Sequence, residues 1–217
     1  MKIISFKDKR GSPYEKNHRF PFYLSKGLRK WYREMGNLYL VDIDNTLLDC
    51  LAALEELYPG YKKEQQVTYE FNIDGVSAKD VISNYFSKYF YQRVGINKSI
   101  TPVLEGLNED DKIVFVTYGD KNAKEFRVVE VIQKLNLKCE LDLEVKEYPS
   151  GGSKLLDLFS SVEFQQDILV GFDKIYAIDD SPARLDVYKE LGIDYILVEY
   201  PYNSEYVDGA VKVLKGY

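Results

Sequence analysis

The sequence predicts an α/β protein whose core is a doubly wound parallel sheet. Three observations lead there. Short apolar runs alternate with amphipathic stretches along most of the chain. Strands that alternate with helices imply parallel strands joined by helical crossovers. Two of the apolar runs also end in acids: Leu38–Val41 leads into Asp42 and Asp44, and Ile175–Ile178 leads into Asp179 and Asp180. In an open α/β sheet, ligands bind outside the carboxyl ends of the strands. The two acid pairs are therefore expected at one edge, where like charges cannot all stay ionised without a cation. The plainer alternative is two Asp-rich surface turns, and the strand-like run before each pair argues against it.

The elements follow in order. Residues 1–22 show no period, and Gly11, Pro13 and Pro21 mark loop. Leu24, Leu28, Trp31, Tyr32 and Met35 recur at helical spacing, so a helix is expected over 25–35, ended by Gly36-Asn37. The first strand spans 38–43. A helix over 48–58 carries Leu48, Leu51, Leu54 and Leu57 on one face and stops at Pro59-Gly60. Residues 61–76 are polar and irregular. A helix over 77–93 is expected, with Ser77 as its N-cap and Val81, Ile82, Tyr85, Phe86, Tyr89 and Phe90 as its stripe. A third short helix spans 101–107, with Pro102 in its first turn. Then come a strand at 113–117, a helix at 122–135, a half-exposed strand at 140–145 and a helix from Ser153 to Phe159. A strand at 174–178 precedes a helix capped by Ser181-Pro182 and ended by Gly192. A last strand at 195–198 and a C-terminal helix at 207–214 complete the reading.

Composition narrows the chemistry. The chain has 217 residues, enough for one well-packed domain with a small insert. No apolar run approaches the roughly 18 residues of a membrane span. Met1–Lys7 lacks the apolar stretch of a signal peptide, so a cytoplasmic protein is expected. Cys50 and Cys139 form no CxxC and are read as inert packing residues. His18 is the only histidine, and it lies in the irregular basic segment. A Ser-His-Asp triad or a zinc site of His and Cys is therefore not expected. Any metal must be held by oxygens, which points to Mg²⁺.

Asp42-Ile43-Asp44-Asn45-Thr46 resembles the DxDxT motif of the haloacid dehalogenase-like superfamily. Three further pieces match in order: Val116-Thr117 after a strand, Lys154 at a helix start, and Asp179-Asp180 after a strand. The resemblance spans roughly 38–198. It implies a Rossmann-like core over 37–48 and 100–217, with a small helical cap inserted at 49–99. It also implies a Mg²⁺-dependent phosphatase acting on a phosphomonoester, such as a nucleotide or sugar phosphate. Asp42 would be nucleophile and metal ligand. Asp44 would be general acid and then base, lending its backbone carbonyl to the metal. Asp180 would ligate the metal directly, with Asp179 acting from behind it or through water.

The phosphoryl oxygens need donors. The Thr117 hydroxyl and the backbone N–H groups of Tyr118 and Gly119 are candidates, as is the Lys154 ammonium. A cation in the first turn of a helix opposes the macrodipole, which makes sense where it faces an anion. Lys146 is the rival for that role. The aromatic residues of the insert are read as core, with contact to substrate as the alternative.

Residues 1–36 stand apart, with ten lysines and arginines against three acids, whereas the whole chain has a net charge of −6. A helix covering the sheet edge is the favoured reading. Contact with nucleic acid, which would suit a polynucleotide-end phosphatase, is possible but not favoured, because the acidic remainder repels phosphates. An inactive scaffold used for binding is the third reading.

Overall fold

The computed structural model of the chain describes residues 36–69, 72–73, 76–77, 88–118, 121–148, 153–161 and 172–217. The helix expected over 25–35 lies outside them. Six strands form one sheet: β1 (Leu38–Asp42), β4 (Lys112–Thr117), β5 (Glu140–Glu147), β6 (Ile175–Asp179), β7 (Asp194–Glu199) and β8 (Lys212–Lys215). Their spatial order is β5-β4-β1-β6-β7-β8, and every neighbouring pair is parallel. The expected α/β fold with a doubly wound parallel sheet is thus observed.

The strand sequences explain the two-sided burial. Leu38 and Leu40 of β1, Val114 and Val116 of β4, and Tyr195 and Leu197 of β7 pack on one face. Val41, Ile113, Phe115, Ile196 and Val198 pack on the other. Successive strand residues point to opposite faces, so a near-continuous apolar run marks a strand covered on both sides.

Helices supply that cover. Beside Val41 and Phe115 lie α1 (Cys50–Leu57), α2 (Lys88–Tyr91), α3 (Thr101–Glu105) and α4 (Lys121–Ile132). Beside Leu40 lie α5 (Ser153–Ser160) and α6 (Pro182–Leu191). Helix α1 starts where Asp49 accepts a bond from the Ala52 amide, at 3.0 Å. Helix α6 begins with Pro182 in its first turn and ends at Gly192, whose φ of 67° is the left-handed cap that glycine adopts freely. Gly36 precedes β1 for a different reason. A Cβ there would lie 2.7 Å from the Asp110 carbonyl and from Asp111 Oδ1. Buried Asp111 accepts from the Asn37 and Asn108 amides and so joins the starts of β1 and β4.

Two expected elements differ. Ser77, expected as a helix N-cap, lies with Val76 in β3, paired antiparallel with β2 (Asn72–Ile73). Residues 78–87 of that expected helix lie outside the described residues, and only 88–91 are helical. The C-terminal helix is also absent. Residues Pro201–Gly209 form a 3-10 helix, and β8 follows. Strand pairing wins there because β7 would otherwise present unpaired backbone groups, and Ile196–Glu199 bond to Lys212–Lys215. Within 49–99 the described elements are α1, a 3-10 turn at Lys63–Gln65, β2, β3 and α2. No helix among the described residues is long and apolar enough to cross a membrane.

Candidate active site

The chain leaves β1 toward β4 and β5 on one side, and leaves β6 toward β7 and β8 on the other. The crevice between β1 and β6 is therefore the switch point where ligands bind in this architecture. Asp42 is the last residue of β1, Asp179 the last of β6, and Asp180 the next. One carboxylate oxygen from each lies within 4.8 Å of the others. All three side chains are buried. The turn after β1 is tight: the Leu47 and Leu48 amides donate back to the Asp42 and Ile43 carbonyls. Asn45 takes the left-handed conformation, with φ 59°, that Asn tolerates better than most residues. The turn brings Thr46 Oγ1 to donate to Asp180 Oδ1, at 3.1 Å.

Each acid of the cluster has a protein donor. The Tyr202 hydroxyl donates to Asp180 Oδ2 at 2.5 Å, and the Tyr188 hydroxyl to Asp179 Oδ2 at 2.9 Å. Arg184, buried in the first turn of α6, donates from Nη1 to Asp42 Oδ1 and lies 3.4 Å from Asp179 Oδ2. Burial still dominates. It holds the Asp42 carboxyl well above the usual range, with Arg184 opposing and Asp179, Asp180 and Asp44 adding to the rise. Burial, and then Asp179, push Asp180 up to about 7. Three crowded, buried acids, with Asp42 and Asp180 pushed toward the protonated form, suit a hard divalent cation with oxygen ligands. Asp42, Asp179 and Asp180 are the described residues that fit it.

The Asp44 carboxylate is engaged elsewhere. Lys124 Nζ lies 2.5 Å from its Oδ2, and the Tyr91 hydroxyl donates to its Oδ1 at 2.9 Å. The Cys50 thiol approaches the same oxygen at 3.5 Å, so one cysteine expected to be inert touches a site residue. Lys124 also donates to Thr117 Oγ1 at 2.7 Å and to the Tyr118 carbonyl at 2.9 Å. Thr117 is buried at the end of β4, whereas the Tyr118 side chain is exposed. Gly119 lies outside the described residues.

Lys154 behaves differently from the expectation. It is exposed in α5, and no bond or ion pair among the described residues joins it to the acids. Lys146 lies within β5, opposite Val116, rather than after the strand. Among the described residues, the cations that meet the acids are Lys124, near the start of α4, and Arg184, in the first turn of α6. Neither was singled out in the sequence. The signal was there, since both oppose a helix dipole as Lys154 does. The insert contributes Tyr69, whose ring meets Tyr202 edge-on at 5.5 Å.

No protein-family model matches the sequence, and no curated protein matches it. Solved structures do. A haloacid dehalogenase-like family hydrolase from Streptococcus pneumoniae superposes with a TM-score of 0.51 at 11% identity, over 83% of this chain and 94% of that one. A protein from Lactobacillus delbrueckii subsp. bulgaricus, described as a phosphoglycolate phosphatase, superposes with a TM-score of 0.50 at 14% identity, over 83% and 93%. At such identities the likeness concerns architecture. The protein has the haloacid dehalogenase-like fold.

Proposed function

We propose that the protein is a Mg²⁺-dependent phosphatase that hydrolyses a small phosphomonoester through a phosphorylated Asp42. The observation that carries this reading is the convergence of Asp42, Asp179 and Asp180 at the β1–β6 crevice. The Asp44–Lys124–Thr117 chain of contacts supplies the remaining parts.

The roles follow from position. The Asp42 carboxylate attacks phosphorus, forming an acyl phosphate and releasing the alcohol. Asp44 gives its proton to the leaving oxygen, then takes one from the water that cleaves the acyl phosphate. The Lys124 ammonium and the Thr117 hydroxyl face the phosphoryl oxygens and stabilise the charge they carry. Tyr91 holds the Asp44 carboxyl by one oxygen, leaving the other to Lys124 or to the reacting proton. Asp42, Asp179, Asp180 and the Asp44 backbone carbonyl would hold Mg²⁺, which would supply charge neutralisation at the phosphoryl group. Residues of the 49–99 insert, Tyr69 among them, shield the site from bulk water and favour a small substrate.

The test is hydrolysis of p-nitrophenyl phosphate with Mg²⁺ and with EDTA, followed by a screen of phosphorylated metabolites. Activity should require the metal. Turnover that survives EDTA undiminished, or no turnover of any phosphomonoester, would overturn the reading.

A further inference from the structure

The reaction proposed above needs both oxygens of Asp42. One faces the cation and the other attacks phosphorus. In the structure one of them, Oδ1, is held by the Arg184 guanidinium. The same nitrogen lies 3.4 Å from Asp179 Oδ2, so a single cation spans two of the three acids that would ligate a metal. Arg184 is only 5% exposed. A buried charge needs partners, and here the partners are the nucleophile and its neighbour. Arg184 thus neutralises part of the cluster. It must also release Asp42 before the chemistry can begin.

A phosphoryl dianion is the group suited to draw it off. A guanidinium matches phosphate with a planar fork and is less strongly hydrated than an ammonium, so it transfers between buried anions at modest cost. We propose that Arg184 is a latch on the nucleophile: it masks Asp42 in the substrate-free state, competes there with the metal, and moves to the phosphoryl group when substrate binds. This rests on the metal-dependent phosphatase reading. The consequence is a coupling between two ligands. Phosphate removes the competitor of the metal, and the metal displaces the guanidinium toward the phosphate. By linkage each must tighten the other by the same factor.

The experiment is titration calorimetry of the full chain with Mg²⁺ and with inorganic phosphate, alone and together, for the wild type and Arg184→Gln. The variant should bind Mg²⁺ alone at least about fivefold more tightly than the wild type, the low end of ordinary site-to-site coupling. It should bind phosphate more weakly, and the mutual tightening should shrink. A residue that only props up the site would weaken both ligands on removal. Mg²⁺ affinity equal to or weaker than wild type in Arg184→Gln overturns the latch and leaves the phosphatase reading standing. No Mg²⁺ binding by either protein overturns both. Arg184→Gln leaves three buried acids without their cation, so it could fail to fold. Arg184→Lys then decides. It keeps the charge but loses the fork, and its Mg²⁺ affinity should rise above wild type while its phosphate affinity falls. Wild-type values for both ligands in that variant would overturn the proposal.

Discussion

Lys124 Nζ lies 2.5 Å from Asp44 Oδ2 while also donating to Thr117 Oγ1, so one buried ammonium joins the end of β1 to the end of β4. The proposed function therefore assigns the phosphoryl-binding cation to Lys124 on α4, in place of Lys154 on α5. Lys124→Met should lower kcat/KM about 100- to 1,000-fold, the usual loss when one donor to a developing anion is removed. Lys154→Ala should stay within about twofold of wild type, as surface substitutions do. Steady-state kinetics on one phosphomonoester compares them. A crippled Lys154→Ala beside an active Lys124→Met would reverse the assignment.

Asp42→Asn keeps the shape of the side chain and removes the nucleophile. Turnover should vanish while the circular dichroism spectrum stays that of the wild type. A near wild-type rate on any phosphomonoester would sink the acyl-phosphate route. Asp44→Asn should discriminate between substrates, because it lacks the proton donor. Alkyl phosphates should suffer far more than p-nitrophenyl phosphate, whose leaving group needs little protonation.

Tyr91 reaches Asp44 from α2, within the insert region. Tyr91→Phe deletes only the hydroxyl. A hydrogen bond to a charged group is worth about 1.5–3 kcal/mol, so kcat on poor leaving groups should fall roughly 10- to 100-fold, with KM changed much less. Equal losses on good and poor leaving groups would show that Tyr91 does not act through Asp44.

Asp180 carries a pH prediction with a definite sign. Its carboxyl is pushed up to about 7 in the fold, against an ordinary value of about 3.9 in the unfolded chain. The folded protein therefore holds this proton more tightly. The stabilisation is fully present below about pH 4 and is lost as the pH rises toward 7. Asp42 is shifted in the same direction. In EDTA, Asp180→Asn should gain melting temperature relative to wild type on going from pH 5 to pH 8. Mg²⁺ affinity of the wild type should rise across the same window, because metal and proton compete for the carboxylates. A melting-temperature difference that does not move with pH would show that Asp180 ionises normally.

Leu40 and Val114 show why the sheet was legible. Runs buried on both faces are almost continuously apolar, and β1, β4, β6 and β7 each carried that mark without reference to any other strand. The acids at the strand ends were legible for the same reason, since Asp42 and Asp179 follow their runs directly. Strand β8 was not legible in its own residues. Lys212–Lys215 joins the sheet because β7 has a free edge, a condition written in another part of the chain.

The parallel α/β core and the acids at its strand ends could be read from the chain alone, as could the expectation of oxygen ligands for a metal. These are local: they depend on period, on the residue after a strand, and on a single histidine. Which cations face the acids depended on how the helices pack. Lys124, Lys154 and Arg184 all sit in the first turn of a helix, and each opposes the dipole there. What separates them is the strand each helix follows and the face on which it packs. Helices α4 and α6 follow the strands on either side of β1, so Lys124 and Arg184 meet the carboxylates, while α5 follows the edge strand β5 and Lys154 remains in solvent.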